Sequence, residues 1–311
     1  MKILVTGSHG FIGSHLTDKL LSMGHEVIGL DNLFTGDRKN MLDYKSAFEF
    51  VRHDVCEPFH IECDAIFHLA CPASPLHYQR NPVRTIQTAF LGTMNALACA
   101  RDAKAPILIA STSEVYGDPL VSPQPEHYWG NVNPFGPRSC YDEGKRAAES
   151  LAFAWMRQYD VYPRIARIFN TYGPRMKPSD GRLIPSLICR ALRKQPMQIQ
   201  GDGKQTRSFC YVSDTVNALV ELLLSVGDGD PIPIYNVGNP DERTVLSVAS
   251  HIQDYLGFGT IEHVEPAADD PRKRCPDISK LRKRSNWKPE MPFEAGLART
   301  IDYFRYNTLK S

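Results

Sequence analysis

From Lys2 to Val5 the chain is continuously apolar over a stretch too short for a helix, which predicts a buried strand. A glycine-bearing turn from Thr6 to Gly13 follows. Leu16, Leu20 and Leu21 then recur at helical spacing on one face until Gly24 stops the run. Val27–Leu30 predicts a second buried strand ending at Asp31, and the strand pattern returns at Ala65–Ala70 and Ile107–Ser111, with helical stretches between. Buried strands alternating with helices predict an α/β fold built on a parallel, doubly wound sheet.

Two long helices are expected at Val83–Ala103 and Asp142–Tyr159, each with apolar residues on more than one face. Such helices pack well against a twin, so a homodimer is expected. Beyond Gly173 the texture changes, because Pro174, Pro178, Pro185 and Pro196 punctuate shorter elements. A smaller C-terminal lobe is therefore expected over residues 174–311, beside a larger domain over 1–173, with 211–238 returning to the sheet. A chain of 311 residues suits this division, since single cores stop growing at about 250–300 residues.

Composition narrows the function classes. Hydrophobic residues make up 42% and charged residues 23%, which excludes a largely disordered chain. With 36 basic and 35 acidic side chains, no global field draws the protein to nucleic acid or an acidic membrane, so any anion must be bound locally. The basic stretch Arg272–Arg284 reads as a mostly solvated segment with one or two arginines turned inward. Cysteines at 56, 63, 71, 99, 140, 189, 210 and 275 form no C-x-x-C pair and no regular framework. Reduced thiols in a cytoplasmic protein fit this usage, and no targeting segment or membrane span is read.

Gly7, Gly10 and Gly13 follow a strand and open a helix, with Phe11 and Ile12 between the last two. Their spacing suits a tight turn, close backbone approach to a pyrophosphate, and helix packing that leaves the phosphates at the positive helix N-terminus. This is the signature of a Rossmann-type dinucleotide site. Asp31 closes the second strand, where its carboxylate can accept both ribose hydroxyls of NAD and repel the 2′-phosphate of NADP. Asp31-Asn32 also reads as a simple turn. Asp54-Val55 is placed either at the adenine ring or in a bare turn, and Leu69 and Ala70, ending their strand, are assigned to the cofactor site.

Tyr141 and Lys145, four residues apart at the start of a helix, project from one face. Tyrosine ionises near pH ~10, and a nearby lysine ammonium and a positive nicotinamide both favour the phenolate, giving a usable base near neutrality. Such a pair is common by chance. Thr112, in STSEVYG at the end of a sheet strand, adds weight because ligands bind at strand ends in these sheets.

Together the glycine turn, Thr112 and the Tyr141/Lys145 pair resemble the short-chain dehydrogenase/reductase superfamily, and TGSHGFIG, STSEVYG and the length resemble its extended, nucleotide-sugar branch. The strings LACPASPLHYQRNPVRTI, STSEVYGDPLVSPQPEHYWGNVNPFGPRSCYDEGKR, RIARIFNTYGPRM and GDGKQTRSFCYVSD are similar to UDP-glucuronate decarboxylases, and the resemblance runs from Met1 to about Phe304. It implies bound NAD, a UDP-sugar substrate and no metal. Tyr141 takes a proton from the sugar hydroxyl, Lys145 supports it, and Thr112 orients that hydroxyl. Nucleotide-sugar 4,6-dehydratases carry an aspartate where this chain has Ser113, which is assigned to the substrate site.

The same resemblance implies oxidation at C4, loss of carbon dioxide from the β-keto acid, and reprotonation at C5 before the hydride returns. Glu114 is the candidate near C5, with a capping or ribose-binding role as the alternative. Arg207 is assigned to the substrate carboxylate or the diphosphate. Asn170 resembles a diphosphate-binding asparagine, and Arg175 and Arg274 are candidates at the nucleotide end. Ser186 stands where close relatives have a nucleotide-contacting asparagine, and Ser8-His9 replaces Gly-Ala in the turn. The alternatives are a 4-epimerase, a decarboxylase releasing the 4-keto pentose, and a non-catalytic NAD-binding protein, which would be expected to lack Tyr141 or Lys145.

Overall fold

β1 (Lys2–Thr6) lies at the centre of the molecule, with Ile3, Leu4 and Val5 fully buried, as a strand covered on both faces requires. This computed structural model describes residues 1–41, 47–227, 229–265 and 273–308; Arg272, the start of the basic stretch, lies outside them. A turn leads into α1 (Phe11–Ser22), which buries Leu16 and Leu20 against the sheet. Complete burial of each such leucine is worth about 1.5–3 kcal/mol. β2 (Glu26–Asp31), β3 (Phe48–Arg52) and β4 (Ala65–His68) follow without the α-helix expected between them among the described residues, and the chain then alternates through α2 (Pro75–Arg80), α3 (Pro82–Ala103), β5 (Ile107–Thr112), α4 (Ser139–Tyr159) and β6 (Pro163–Ile168).

Later elements are shorter: β7 (Thr171–Tyr172), α5 (Leu183–Leu192), β8 (Met197–Gln200), β9 (Thr206–Ser208), β10 (Cys210–Tyr211), α6 (Val212–Leu224), β11 (Ile234–Val237), β12 (Glu242–Thr244), α7 (Val245–Leu256), β13 (Ile261–Val264), α8 (Ser279–Arg284) and α9 (Phe293–Thr308). A seven-stranded parallel sheet runs β11-β6-β5-β4-β1-β2-β3. The order reverses between β1 and β4, where open α/β sheets bind ligands beyond the strand C-termini.

β11 joins this sheet beside β6, whereas Tyr211 belongs to a separate two-stranded pairing of β10 with β7. Two residues pair there because α6 begins at once, at Val212. One apolar core joins α1 and a sheet face to α5, α6, α7 and α9; a second fills the opposite face under α3 and α4. All eight cysteines are free thiols.

Candidate active site

The β1–α1 turn is shaped by absent side chains. Gly7 has φ +73°, and a Cβ on it would stand 2.9 Å from the backbone nitrogen of Ala70; one on Gly13 would stand 2.0 Å from the Gly7 carbonyl oxygen. Only glycine lets β1, the Leu69-Ala70 segment and α1 meet so closely. Gly10 caps α1 without any side-chain hydrogen bond, so the first-turn N–H groups remain for an anion.

Asp31 is buried and accepts from the backbone N–H groups of His9 (3.0 Å) and Leu33 (2.7 Å). Its carboxylate thus makes the turn and also faces the cleft. Asn32 donates to Asp54 (2.9 Å), which pairs with Arg84 (2.7 Å). Burial opposes ionisation of Asp54, but hydrogen bonds from Cys56, Arg84 and Asn32 prevail and hold its carboxyl down at about 2.

These residues line one cleft of about 500 Å³ at the C-terminal edge of the sheet. Gly7, Gly10, Phe11, Ile12, Gly13, Asp31, Asn32, Asp54, Val55, Leu69 and Ala70 form one part, and Thr112, Ser113, Glu114, Tyr141, Lys145, Asn170 and Arg175 the other. A glycine cradle, a helix N-terminus and a strand-end carboxylate fit a dinucleotide.

Thr112 ends β5, whose terminus is braced by Ser111 donating to Glu149 (2.5 Å), itself paired with Arg167 (2.7 Å). The Thr112 hydroxyl lies beside the Tyr141 phenol and favours its ionisation. Lys145 donates to the Ala110 carbonyl (2.8 Å), fixing its ammonium beneath the same strand end. In the protein without its cofactor, burial dominates the Tyr141 phenol. Burial pushes the phenol well above its ordinary value, the neighbouring Cys71 adds to this, and the Thr112 hydroxyl only partly offsets it. A cation beside the phenol is needed to recover the base.

Glu114 is clamped. Arg274 grips it with both terminal nitrogens, one bond measuring 2.8 Å, and Arg138 binds the second oxygen. Burial alone would raise its carboxyl, but Arg274 and Arg138 outweigh that and hold it below the usual range.

Arg274, expected at the nucleotide end, thus stands behind Glu114. Arg175 pairs with Asp18 of α1 (2.6 Å), and its other terminal nitrogen, Nη1, is buried without a partner. Arg207 lies buried in β9 and donates to the Thr206 carbonyl (2.8 Å); it and Ser186, half-buried on α5, are not among the cleft-lining residues. Arg138, Asp142, Tyr78 and Arg182 were not singled out from the sequence. Arg138 and Asp142 flank Tyr141 in the string RSCYD, so a signal existed at helical i,i+4 spacing; for Tyr78 and Arg182 the sequence holds none.

The match with known proteins agrees with this geometry. The model of the NAD dependent epimerase/dehydratase family covers residues 3–238. UDP-glucuronic acid decarboxylase 1 of Arabidopsis thaliana is 52% identical over 99% of this chain and 71% of its own length. UDP-glucuronic acid decarboxylase 1 of Xenopus tropicalis is 50% identical over 98% and 72%. Among solved structures, UDP-glucose 4-epimerase of Thermotoga maritima, with UDP-glucose, superimposes with TM-score 0.89 at 29% identity over 99% of this chain and 100% of that one. The dTDP-glucose 4,6-dehydratase of Streptomyces venezuelae, with NAD bound, gives 0.88 at 28% over 100% and 98%. With its glycine cradle, strand-end aspartate and Thr112–Tyr141–Lys145 group, the chain belongs to the NAD dependent epimerase/dehydratase family.

Proposed function

We propose that this protein decarboxylates UDP-glucuronate to UDP-xylose through a 4-keto intermediate, using bound NAD as a catalyst that is not consumed. The observation that carries the reading is the clamp of Arg274 and Arg138 on Glu114, close to the Thr112–Tyr141 pair. An epimerase of a neutral sugar has no substrate carboxylate to manage, whereas here two arginines gather on Glu114, which lines the cleft. The identity to UDP-glucuronic acid decarboxylases over nearly the whole chain supports the same reading.

The glycine turn of Gly7, Gly10 and Gly13 would hold NAD, which when bound would supply a hydride acceptor for C4 and, reduced, the donor for the 4-ketone. Tyr141 removes the C4 hydroxyl proton while Thr112 orients that oxygen, and Lys145 holds positive charge under the strand end. The 4-ketone is β to the carboxylate, so carbon dioxide leaves with its bonding electrons passing into a C4 enolate. Tyr141 and Thr112 donate to that developing oxyanion. The substrate carboxylate is assigned to Arg274, which binds the cleft-lining Glu114 although, like Arg207, it is not itself among the cleft-lining residues. Glu114 serves C5. Asn170 and Arg182, both on the cleft wall, take the diphosphate end.

The reading divides the chain into a cofactor domain over 1–173, joined by 211–238, and a sugar-nucleotide lobe over 174–311. It also includes a homodimer through α3 and α4, where Val83, Ile86, Phe90 and Phe153 are exposed. A cytoplasmic location is included because eight free thiols suit a reducing compartment. Among the described residues no helix is long and apolar enough to cross a membrane.

The test is incubation with UDP-glucuronate while carbon dioxide, absorbance of reduced cofactor and the product sugar are followed. Carbon dioxide equal to UDP-xylose, with no lasting absorbance, is expected. Accumulating reduced cofactor with a 4-keto pentose, or an epimer without carbon dioxide, overturns it.

A further inference from the structure

The proposed reaction takes up one proton per turnover, because carbon dioxide leaves as a neutral molecule and C5 gains a hydrogen. Glu114, the group nearest that task, is held ionised by its two arginines. Some other group must store the proton.

Asp142 sits one residue beyond Tyr141 in the first turn of α4 and is buried. A first-turn aspartate retained for the helix would use both oxygens on hydrogen-bond donors. Here Oδ1 is buried without a hydrogen-bond partner among the described residues, and Oδ2 stands 3.7 Å from Nε of Arg138, whose terminal nitrogen binds Glu114. One guanidinium therefore bridges the buried Asp142 carboxylate and the partly buried Glu114 carboxylate.

We propose that Asp142 is a positioning residue that stores the proton Glu114 delivers to C5, with Arg138 shared between the two carboxylates. The inference rests on the decarboxylase reading. When a substrate carboxylate draws Arg274 away, Glu114 keeps only Arg138 and its proton affinity rises. The proton moves from the Asp142 carboxyl to the Glu114 carboxylate, and Arg138 turns to the newly ionised Asp142. Glu114 then gives the proton to C5 as the enolate electron pair forms the C–H bond, and solvent returns a proton to Asp142.

The charges around Asp142 agree with storage. Facing it are Glu114 from the turn after β5, Arg138 and Arg274 from loops, Tyr78 from α2, and Cys140 and Glu143 on its own helix. Burial raises its carboxyl most and Glu114 adds to this; Arg138 and Arg274 oppose it, and the group settles at about 7.

Asp142→Asn keeps the shape and removes the store. It is expected to lower turnover with UDP-glucuronate on the order of tenfold while leaving the Michaelis constant within about twofold. The wild-type turnover should fall as pH rises through about 7; Asp142→Asn should lose that limb, and Asp142→Glu should restore it. Infrared difference spectra of the wild-type protein with NAD and no substrate should show a protonated carboxyl below that pH, absent in Asp142→Asn. An unchanged pH limb in Asp142→Asn, or no protonated carboxyl in the wild type, overturns the proposal; the infrared arm decides even if the variant does not fold. A wild type that releases no carbon dioxide contradicts the decarboxylase reading instead, and the infrared titration still tests the store.

Discussion

Tyr78 lies flat against Tyr141, with ring centroids 5.1 Å apart and planes 2° from parallel. The stack fixes the ring of the proposed base from behind, and the Tyr78 hydroxyl is buried without a partner. An unmade buried hydrogen bond costs about 1–3 kcal/mol. Tyr78→Phe is therefore expected to raise the melting temperature and leave turnover within about twofold, whereas Tyr78→Ala removes the stack and lowers both, by about 3–5 kcal/mol in stability. Thermal melts and steady-state rates of the two variants check this.

Tyr141→Phe should keep the fold and the bound NAD but lose about a hundredfold or more in turnover, the usual scale for a lost general base. Cofactor content of the purified variant separates this from unfolding. Near-normal turnover would remove Tyr141 from the chemistry.

Asp31→Ala should weaken the preference for NAD over NADP, because it removes an acceptor for the ribose hydroxyls and a charge that repels a 2′-phosphate. It also strips the His9 and Leu33 N–H groups of their partner, so stability should fall. Titration with both cofactors decides: lost stability with unchanged preference would leave Asp31 a turn residue only.

Stability should depend on pH with opposite signs at the two carboxylates. Asp142 is raised from 3.8 to about 7, so its contribution is intact below the unfolded value and is lost as pH climbs to about 7. Asp142→Asn should therefore gain on the wild type across that rise. Glu114 is lowered, so its contribution is present above the unfolded value and is lost as pH falls through the lower folded one. Melting temperatures of wild type, Asp142→Asn and Glu114→Gln against pH test both signs.

Much of the cofactor half was legible because its signals are local. Gly7, Gly10 and Gly13 stand within one turn, and Tyr141 and Lys145 within one turn of helix, so spacing alone implied their geometry. The doubly wound parallel sheet was legible in apolar runs alternating with helices, while its seven strands and their order come from the structure. The Glu114–Arg274 pair joins residues 160 positions apart, and nothing in either neighbourhood says that they meet. The string around Arg207 does not report which way a strand side chain points, and this one is not among the cleft-lining residues. For Tyr141 the sequence shows the lysine one turn away but not the burial, which dominates the phenol in the protein without its cofactor.

The central claim is decarboxylation with the C4 hydride returned to the same sugar. The most direct measurement uses UDP-glucuronate carrying deuterium at C4, turned over in ordinary water, with the product examined by mass spectrometry and proton NMR. The account predicts UDP-xylose that retains the C4 deuterium, gains one solvent proton at C5 and appears with one carbon dioxide. A product that keeps its carboxylate, or UDP-xylose that has lost the C4 deuterium, would contradict it.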